Sequence, residues 1–279
     1  MTELNYMRDK EVNYKNLRKE VNRLVDLKGT DNWSDIRSSN NFNLVQRHYS
    51  FGVRMCYERK SENDVTYIDL QSSRGIGIQE SDTLENVMSQ IDETMQIIDS
   101  DTVRIEEIEA IWNDPQFKLG DINHTGFVEL GFRVPRLMKH YGDKYNARVW
   151  GYDIAPLSIS VTQELGYDGR TYDFNRCVGP LGLSGASLVV SYHMLEHLSD
   201  PMLAIKKVYE SMDTGSFFHV EVPIEPGLPR LQFAHMFAFH SLDLMHMLRE
   251  AGFEVLTSST RTHPDGPWVE RYMTRKLDG

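Results

Sequence analysis

Two short runs of strand-forming residues each close on an acid, Phe127-Val128-Glu129-Leu130-Gly131 and Arg148-Val149-Trp150-Gly151-Tyr152-Asp153. A third apolar run, Leu188-Val189-Val190, opens into Tyr192-His193-Met194-Leu195-Glu196-His197-Leu198-Ser199-Asp200-Pro201. From Thr125 onward such runs alternate with helical patterns: strands are predicted over 126–131, 147–152, 170–174, 187–192 and 215–222, and helices over 135–141, 155–165, 201–212 and 240–251. That alternation specifies a parallel sheet wrapped by crossover helices. The loops after the strands then gather at one edge of the sheet, where ligands bind, so acids at strand ends are candidates to hold one. Further on, Phe253-Glu254-Val255-Leu256 and Trp268-Val269-Glu270-Arg271-Tyr272-Met273 flank the turn sequence His263-Pro264-Asp265-Gly266, which predicts a terminal antiparallel hairpin. The fold class expected is α/β, a doubly wound sheet finished by that hairpin.

The first 120 residues have a different texture. Leu17, Val21, Leu24 and Val25 recur at helical spacing within 11–28, ahead of Gly29. Tyr49 to Tyr57 and Val65 to Leu70 read as the two strands of a hairpin around Ser61-Glu62-Asn63-Asp64. Leu84, Val87, Met88, Ile91, Met95 and Ile98 predict one amphipathic helix whose start Ser81-Asp82-Thr83 can cap. Val103, Ile108, Ile111 and Trp112 predict a shorter helix ending at Asp114-Pro115, because proline disfavours helical geometry in the residue before it. The expected division is an N-terminal helical and hairpin extension over 1–120, serving as a lid or as the surface of a homodimer, and a second domain over 121–279.

With 279 residues, 40% of them hydrophobic and 25% charged, the chain can bury a sizeable core. Its formal net charge of −11 repels phosphate backbones, and no basic cluster interrupts that field. Nucleic acid is therefore not the expected partner, and a small-molecule substrate is. Cys56 and Cys177 are far apart and in no metal-ligand spacing, which points to a reducing compartment. The N-terminus lacks a basic segment followed by an apolar one, and no run approaches the roughly 20 apolar residues of a membrane span. A cytoplasmic location without membrane contact is expected.

Residues 125–276 resemble the class I S-adenosylmethionine-dependent methyltransferases, in the broad group that modifies small molecules. The resemblance rests on Glu129-Leu130-Gly131, Asp153, Asp173-Phe174 and the Tyr192–Pro201 string. It rests also on the run Phe233-Ala234-His235-Met236-Phe237-Ala238-Phe239-His240-Ser241-Leu242, which leads to Leu248-Arg249-Glu250-Ala251-Gly252-Phe253. It implies a Rossmann-like sheet and the cofactor S-adenosyl-L-methionine. In that resemblance Glu129 and Gly131 meet the methionyl part and Asp153 accepts the ribose hydroxyls. Ile154 contacts the adenine face, Asp173 and Phe174 form the adenine turn, and Tyr192 and His193 lie at the methionyl end. The chain departs from the family pattern at Phe132-Arg133-Val134-Pro135, where further glycines are usual; Pro135 is expected to start the next helix.

Methyl transfer to a hydroxyl also requires a group to take the proton, a task suited to histidine with its ordinary pKa of about 6.5. His197 and His235 are the candidates, with Glu196 beside them, and O-methylation of a small hydroxylated metabolite or sugar is the expected reaction. Blander roles stand beside these: Glu129 can cap the following helix, Asp173 can serve a turn, His235 and its aromatic neighbours can be packing, and Glu221 can be a solvated edge carboxylate. His193-x-x-Glu196-His197 also has the letters of an inverted zinc-protease motif, which the preceding strand and the new helix at Pro201 argue against. Some enzymes of the resembling group hold a divalent cation on a Glu-His pair at this place, which would make Glu196 and His197 ligands; the expectation here is a site without metal. A nicotinamide dehydrogenase needs Gly-x-Gly-x-x-Gly after the first strand, and that is absent. The rival from another class is a non-catalytic binding or scaffold protein with a degenerate cofactor loop, for which Arg133 and Pro135 speak.

Overall fold

The computed structural model describes residues 42–59, 83–115, 126–224, 235–261 and 268–277. The expected helix over 11–28 and the strand Val65–Leu70 lie outside them. The chain begins with β1 (Phe42–Tyr49), β2 (Gly52–Arg59), α1 (Leu84–Ser89), α2 (Ile91–Thr94) and α3 (Asp99–Trp112). It continues with β3 (Gly126–Leu130), α4 (Arg136–Tyr145), β4 (Arg148–Asp153), α5 (Pro156–Glu164), β5 (Asp168–Thr171) and β6 (Leu188–Tyr192). A 3-10 turn (Leu195–His197), α6 (Pro201–Ser211), β7 (Phe217–Ile224), α7 (Asp243–Ala251), β8 (Phe253–Arg261) and β9 (Trp268–Lys276) follow.

Seven strands form one sheet in the order β5-β4-β3-β6-β7-β9-β8. The first five pair in parallel, and β9 runs antiparallel to both β7 and β8. This is the expected doubly wound sheet with its terminal hairpin. Winding reverses between β5 and β6, so the ends of β3, β4 and β6 adjoin at the switch point where a cleft opens in such folds.

β3, β6 and β7 are buried along their whole length, as strands covered on both faces must be. One face carries Val128, Leu130, Val189 and Val220 against Ile205, Leu244, Leu248, Phe237 and Phe239. The other carries Phe127, Val190, Tyr192 and Met273 against Ile105, Ile108 and Trp112 of α3 and Leu137 and Tyr141 of α4. Alternation along each strand puts Glu129, His219, Glu221 and Arg271 on this second face, beneath α3. The polar side chains of the site are placed by the same period that fills the cores.

Three expectations are corrected. β2 pairs antiparallel with the upstream β1, and Ser50-Phe51 is a turn within the stretch expected to be one strand; the expected partner over Val65–Leu70 lies outside the described residues. Gly52, with φ of +134°, supplies the backbone conformation that reverses the chain there. The helix expected from Leu84 to Ile98 is broken at Gln90 into α1 and α2, although Val87 of α1 and Met95, the residue that caps α2, share a core with Val134 and Val161. Periodicity reports which positions face a core, and both pieces obey it; it does not report hydrogen-bond continuity across Gln90. The edge strand expected over 170–174 is β5, two residues earlier and shorter.

Two glycines test this packing. A Cβ on Gly126 would stand 2.0 Å from the Gly185 carbonyl oxygen, whereas one on Gly142, inside α4, meets nothing closer than 3.4 Å. Gly126→Ala is expected to destabilise by about 1–3 kcal/mol through overpacking. Gly142→Ala is expected to be neutral or stabilising by up to about 1 kcal/mol through helix propensity. Urea unfolding of the two variants beside the parent checks both; equal midpoints would contradict the close approach of β3 to the 185–186 turn.

Candidate active site

Glu129 ends β3 facing α4, and its carboxylate receives the backbone amide of Met138 in the first turn of that helix. Capping accounts for one oxygen; Oε2 is buried with no hydrogen-bond partner among the described residues. Burial, together with the charge of Asp101, raises the Glu129 carboxyl to about 8, against the opposing pull of Arg136 and Arg104. Gly131 follows with φ of +68°, and a Cβ there would meet the Met194 side chain at 2.7 Å.

The bulky loop after Gly131 keeps a glycine-type backbone. Arg133 has φ of +45°, and its amide donates to Asp153 Oδ2 at 2.8 Å. Phe132 and Val134 turn into two different cores, Phe132 against Gly151, where a Cβ would stand 2.7 Å from its ring. Pro135 is the N-cap of α4, one residue before the position expected. Asp153 ends β4, buried, with Oδ1 accepting the Ala155 amide at 2.8 Å; burial raises its pKa against these amide bonds. With the amide of Ile154 also turned to it, the carboxylate keeps at least one of its four lone pairs open. Ile154 is half-buried beside it. Asp173 Oδ1 accepts the Asn175 amide at 2.9 Å in a turn, and Phe174 is buried against Tyr172.

β6 delivers the histidine-bearing stretch. The Tyr192 ring is buried under the Arg104 guanidinium, 4.4 Å from its centroid, and its hydroxyl is engaged by His219 Nδ1 at 2.6 Å. His193 has φ of +52° and bridges two carboxylates, Glu196 Oε1 at 3.1 Å from Nδ1 and Glu221 Oε1 at 2.9 Å from Nε2. Desolvation opposes its protonation, but the two carboxylates raise it to about 9. Glu196 is fully buried, and its Oε2 has no hydrogen-bond partner among the described residues. The Glu196 carbonyl accepts the amides of Met236 and Phe237 at 2.7 and 3.0 Å, which brings His235 next to His197 with ring centroids 4.9 Å apart. Ligand atoms of Glu196, His197 and His235 all lie within 4.8 Å of one another.

Between the two sides lies an ion network that the sequence reading missed, apart from Glu221. Arg104 of α3 donates to Asp101 at 3.1 Å and to Glu221 Oε1. Arg136 donates through Nε to Asp101 at 2.7 Å, and Arg271 of β9 donates to Glu221 and, at 2.6 Å, to Glu107. Glu221 is 2% exposed, which excludes the blander role of a solvated edge carboxylate. Burial pushes its carboxyl up, but His193, Arg104 and Arg271 hold it well below the usual range. Glu107 is likewise lowered to about 2, hydrogen bonds from His219 and Arg271 outweighing desolvation. The Asp101-x-x-Arg104 spacing on a helix was the one local signal for this network.

By sequence the chain matches no family model, and no curated protein is significantly similar to it. By structure 857 solved chains match, enough that the fold by itself selects no single reaction. A candidate sarcosine dimethylglycine methyltransferase from Galdieria sulphuraria is 12% identical with a TM-score of 0.50, the match covering 76% of this chain and 97% of that one. An S-adenosylmethionine-dependent methyltransferase from Mesorhizobium loti is 13% identical over 58% of this chain and 96% of that one, with a TM-score of 0.46. A TehB-like enzyme of the same class from Corynebacterium glutamicum is 14% identical over 63% and 95%, with a TM-score of 0.44. The chain has the Rossmann-like methyltransferase fold.

The raised carboxyl of Glu129 has a consequence for stability. A free glutamate titrates near 4.5 and the folded one near 8, so as pH rises between these values the unfolded chain releases a proton that the folded chain keeps. The contribution is fully present below the lower value and is lost as pH rises through the upper one. Glu129→Gln has no proton to lose. Its stability relative to the parent is expected to increase from about pH 5 to about pH 8; thermal unfolding at both pH values checks this, and a constant difference would refute the shift.

Proposed function

We propose that the protein is an S-adenosyl-L-methionine-dependent methyltransferase acting on the hydroxyl of a small metabolite or sugar. The observation that carries this reading is the unpartnered, buried Glu129 Oε2 at the switch point of a methyltransferase fold. Electrostatically coupled to it are Arg104 and Arg136, whose Nε and Nη1 are also buried without partners among the described residues. A carboxylate beside two guanidiniums matches the ammonium and carboxylate of an amino-acid moiety, so the donor set fits the methionyl group. Asp153 would hold the ribose diol through its remaining lone pairs, with Ile154, Asp173 and Phe174 on the adenine side. Once bound, the cofactor supplies an electrophilic methyl group on a sulfonium sulfur.

The chain's own residues then have to align the acceptor and keep water out, which accounts for most of the acceleration in an in-line displacement. His197 and His235 are assigned to meet the acceptor hydroxyl and receive its proton, worth about 10²–10⁴-fold. Tyr192 is assigned to supporting the loop, since its hydroxyl is taken by His219. The N-terminal elements act as a cover over the acceptor side: Arg47 of β1 donates to the Ser199 carbonyl at 2.7 Å, and Arg54 of β2 pairs with Asp243 at 2.6 Å. No helix among the described residues is long and apolar enough to cross a membrane, and Cys56 and Cys177 form no disulfide with each other.

A scaffold that has lost the cofactor is the second reading, favoured by the engagement of both Asp153 oxygens by backbone amides. Titration calorimetry with S-adenosylhomocysteine separates the two. One ligand per chain is expected, weakened at least about tenfold in Asp153→Ala and in Arg136→Met, each of which removes a charged hydrogen-bond partner. No heat at saturating ligand would select the scaffold.

A further inference from the structure

We infer that Glu196, His197 and His235 form a binding site for one divalent transition-metal ion, of the Zn²⁺ or Mn²⁺ kind. Their donor atoms lie within 4.8 Å of one another although they come from two separate segments of chain. Bond lengths of about 2.0–2.2 Å for imidazole nitrogen and carboxylate oxygen put the donors of one ion roughly 3–3.5 Å apart, so small side-chain rotations suffice to close the set.

Three further features point to a ligand at this place. Glu196 is fully buried, yet Oε2 has no hydrogen-bond partner among the described residues, and a buried carboxylate oxygen without one is costly. Its other oxygen is held by His193 Nδ1, and His193 is itself held through Nε2 by Glu221. This is how outer partners aim a ligating carboxylate, and it leaves one defined oxygen for the ion. Finally, the Glu196 carbonyl accepts the amides of Met236 and Phe237, so the backbone that positions Glu196 and His197 also positions His235.

Two imidazoles and one carboxylate suit a borderline divalent ion better than Mg²⁺, which prefers oxygen ligands. Three protein ligands also leave coordination positions for water or an acceptor oxygen, as catalytic sites do and closed structural sites do not. With the ion in place the two imidazole nitrogens are ligands and take no proton; the cation would instead lower the pKa of an acceptor hydroxyl bound to it, which would release its proton to solvent water. The inference does not depend on the cofactor reading, since the three ligands are distinct from Glu129, Asp153 and Arg136.

The test uses the full chain, stripped with EDTA and titrated calorimetrically with Zn²⁺, Mn²⁺ and Mg²⁺ to about 100 μM, with bound ion counted by atomic emission. One Zn²⁺ or Mn²⁺ per chain is expected, with Mg²⁺ much weaker. Glu196→Gln and His235→Ala are each expected to weaken binding at least about tenfold, and His193→Gln to weaken it through loss of orientation. Far-UV circular dichroism of the metal-free variants shows whether they are folded; if His235→Ala is not, the near-isosteric Glu196→Gln decides. Absence of bound ion, or equal binding by parent and Glu196→Gln, overturns the site. S-adenosylhomocysteine titrated into the same samples keeps the two proposals apart: binding without an ion sinks this one alone, and an ion without that binding sinks only the cofactor reading.

Discussion

The carboxylate of Glu221 ties together parts of the chain that are far apart in sequence. From β7 it receives Arg104 of α3, Arg271 of β9 and His193 of the loop after β6. A carboxylate as buried as this one loses several kcal/mol of hydration, which only close cationic partners recover. The wider network matches three carboxylates, Glu221, Glu107 and Asp101, to three guanidiniums, Arg104, Arg271 and Arg136. Such a set assembles as a unit, because withdrawing one partner strands another in the interior. α3 lies N-terminal to the sheet, yet it cannot leave without exposing Ile105, Ile108 and Trp112 and stranding Glu221. The roof over the candidate cofactor side is thus held by charge as well as by apolar burial.

That network explains what could be read from the sequence. The sheet was legible because its strands are short apolar runs between helical patterns; β3, β4, β6 and β7 begin and end within two residues of expectation, while β8 and β9 run on past it. Glu129 and Asp153 were legible because an acid at a strand end can be reached by counting. Arg104, Arg136 and Arg271 were not. Each looks like an ordinary solvated cation in its own segment, and only the crossing of α3 over β7 and β9 makes them partners. The strand expected from Tyr49 to Tyr57 failed for a local reason: buried Phe51 continues the alternation of its neighbours through a turn, and only Gly52 marked the reversal.

The loop after Gly131 shows how far a departure in residue type is a departure in shape. Glycine is favoured in such turns because φ is positive, and Arg133 adopts that conformation at a strain of about 1–2 kcal/mol. Its amide bond to Asp153 offsets part of this. The side chains of Phe132 and Val134 pack inward, Phe132 against Gly151 and Val134 against Val161 of α5. The loop thus packs its two large apolar side chains away from the acid at the end of β4, which remains beside its backbone.

His193 joins the two sides of the site. It too has a positive φ, a conformation that for a non-glycine residue persists only where its surroundings over-determine it. Here they do: its two ring nitrogens contact two buried carboxylates, Glu221 in the ion network and Glu196 in the histidine cluster. The ring therefore transmits position. A shift of α3 that moves Arg104 moves the charge balance at Glu221, and Glu221 sets the ring that aims Glu196. The geometry of the histidine cluster thus depends on a helix that precedes the seven-stranded sheet in the chain, through one imidazole.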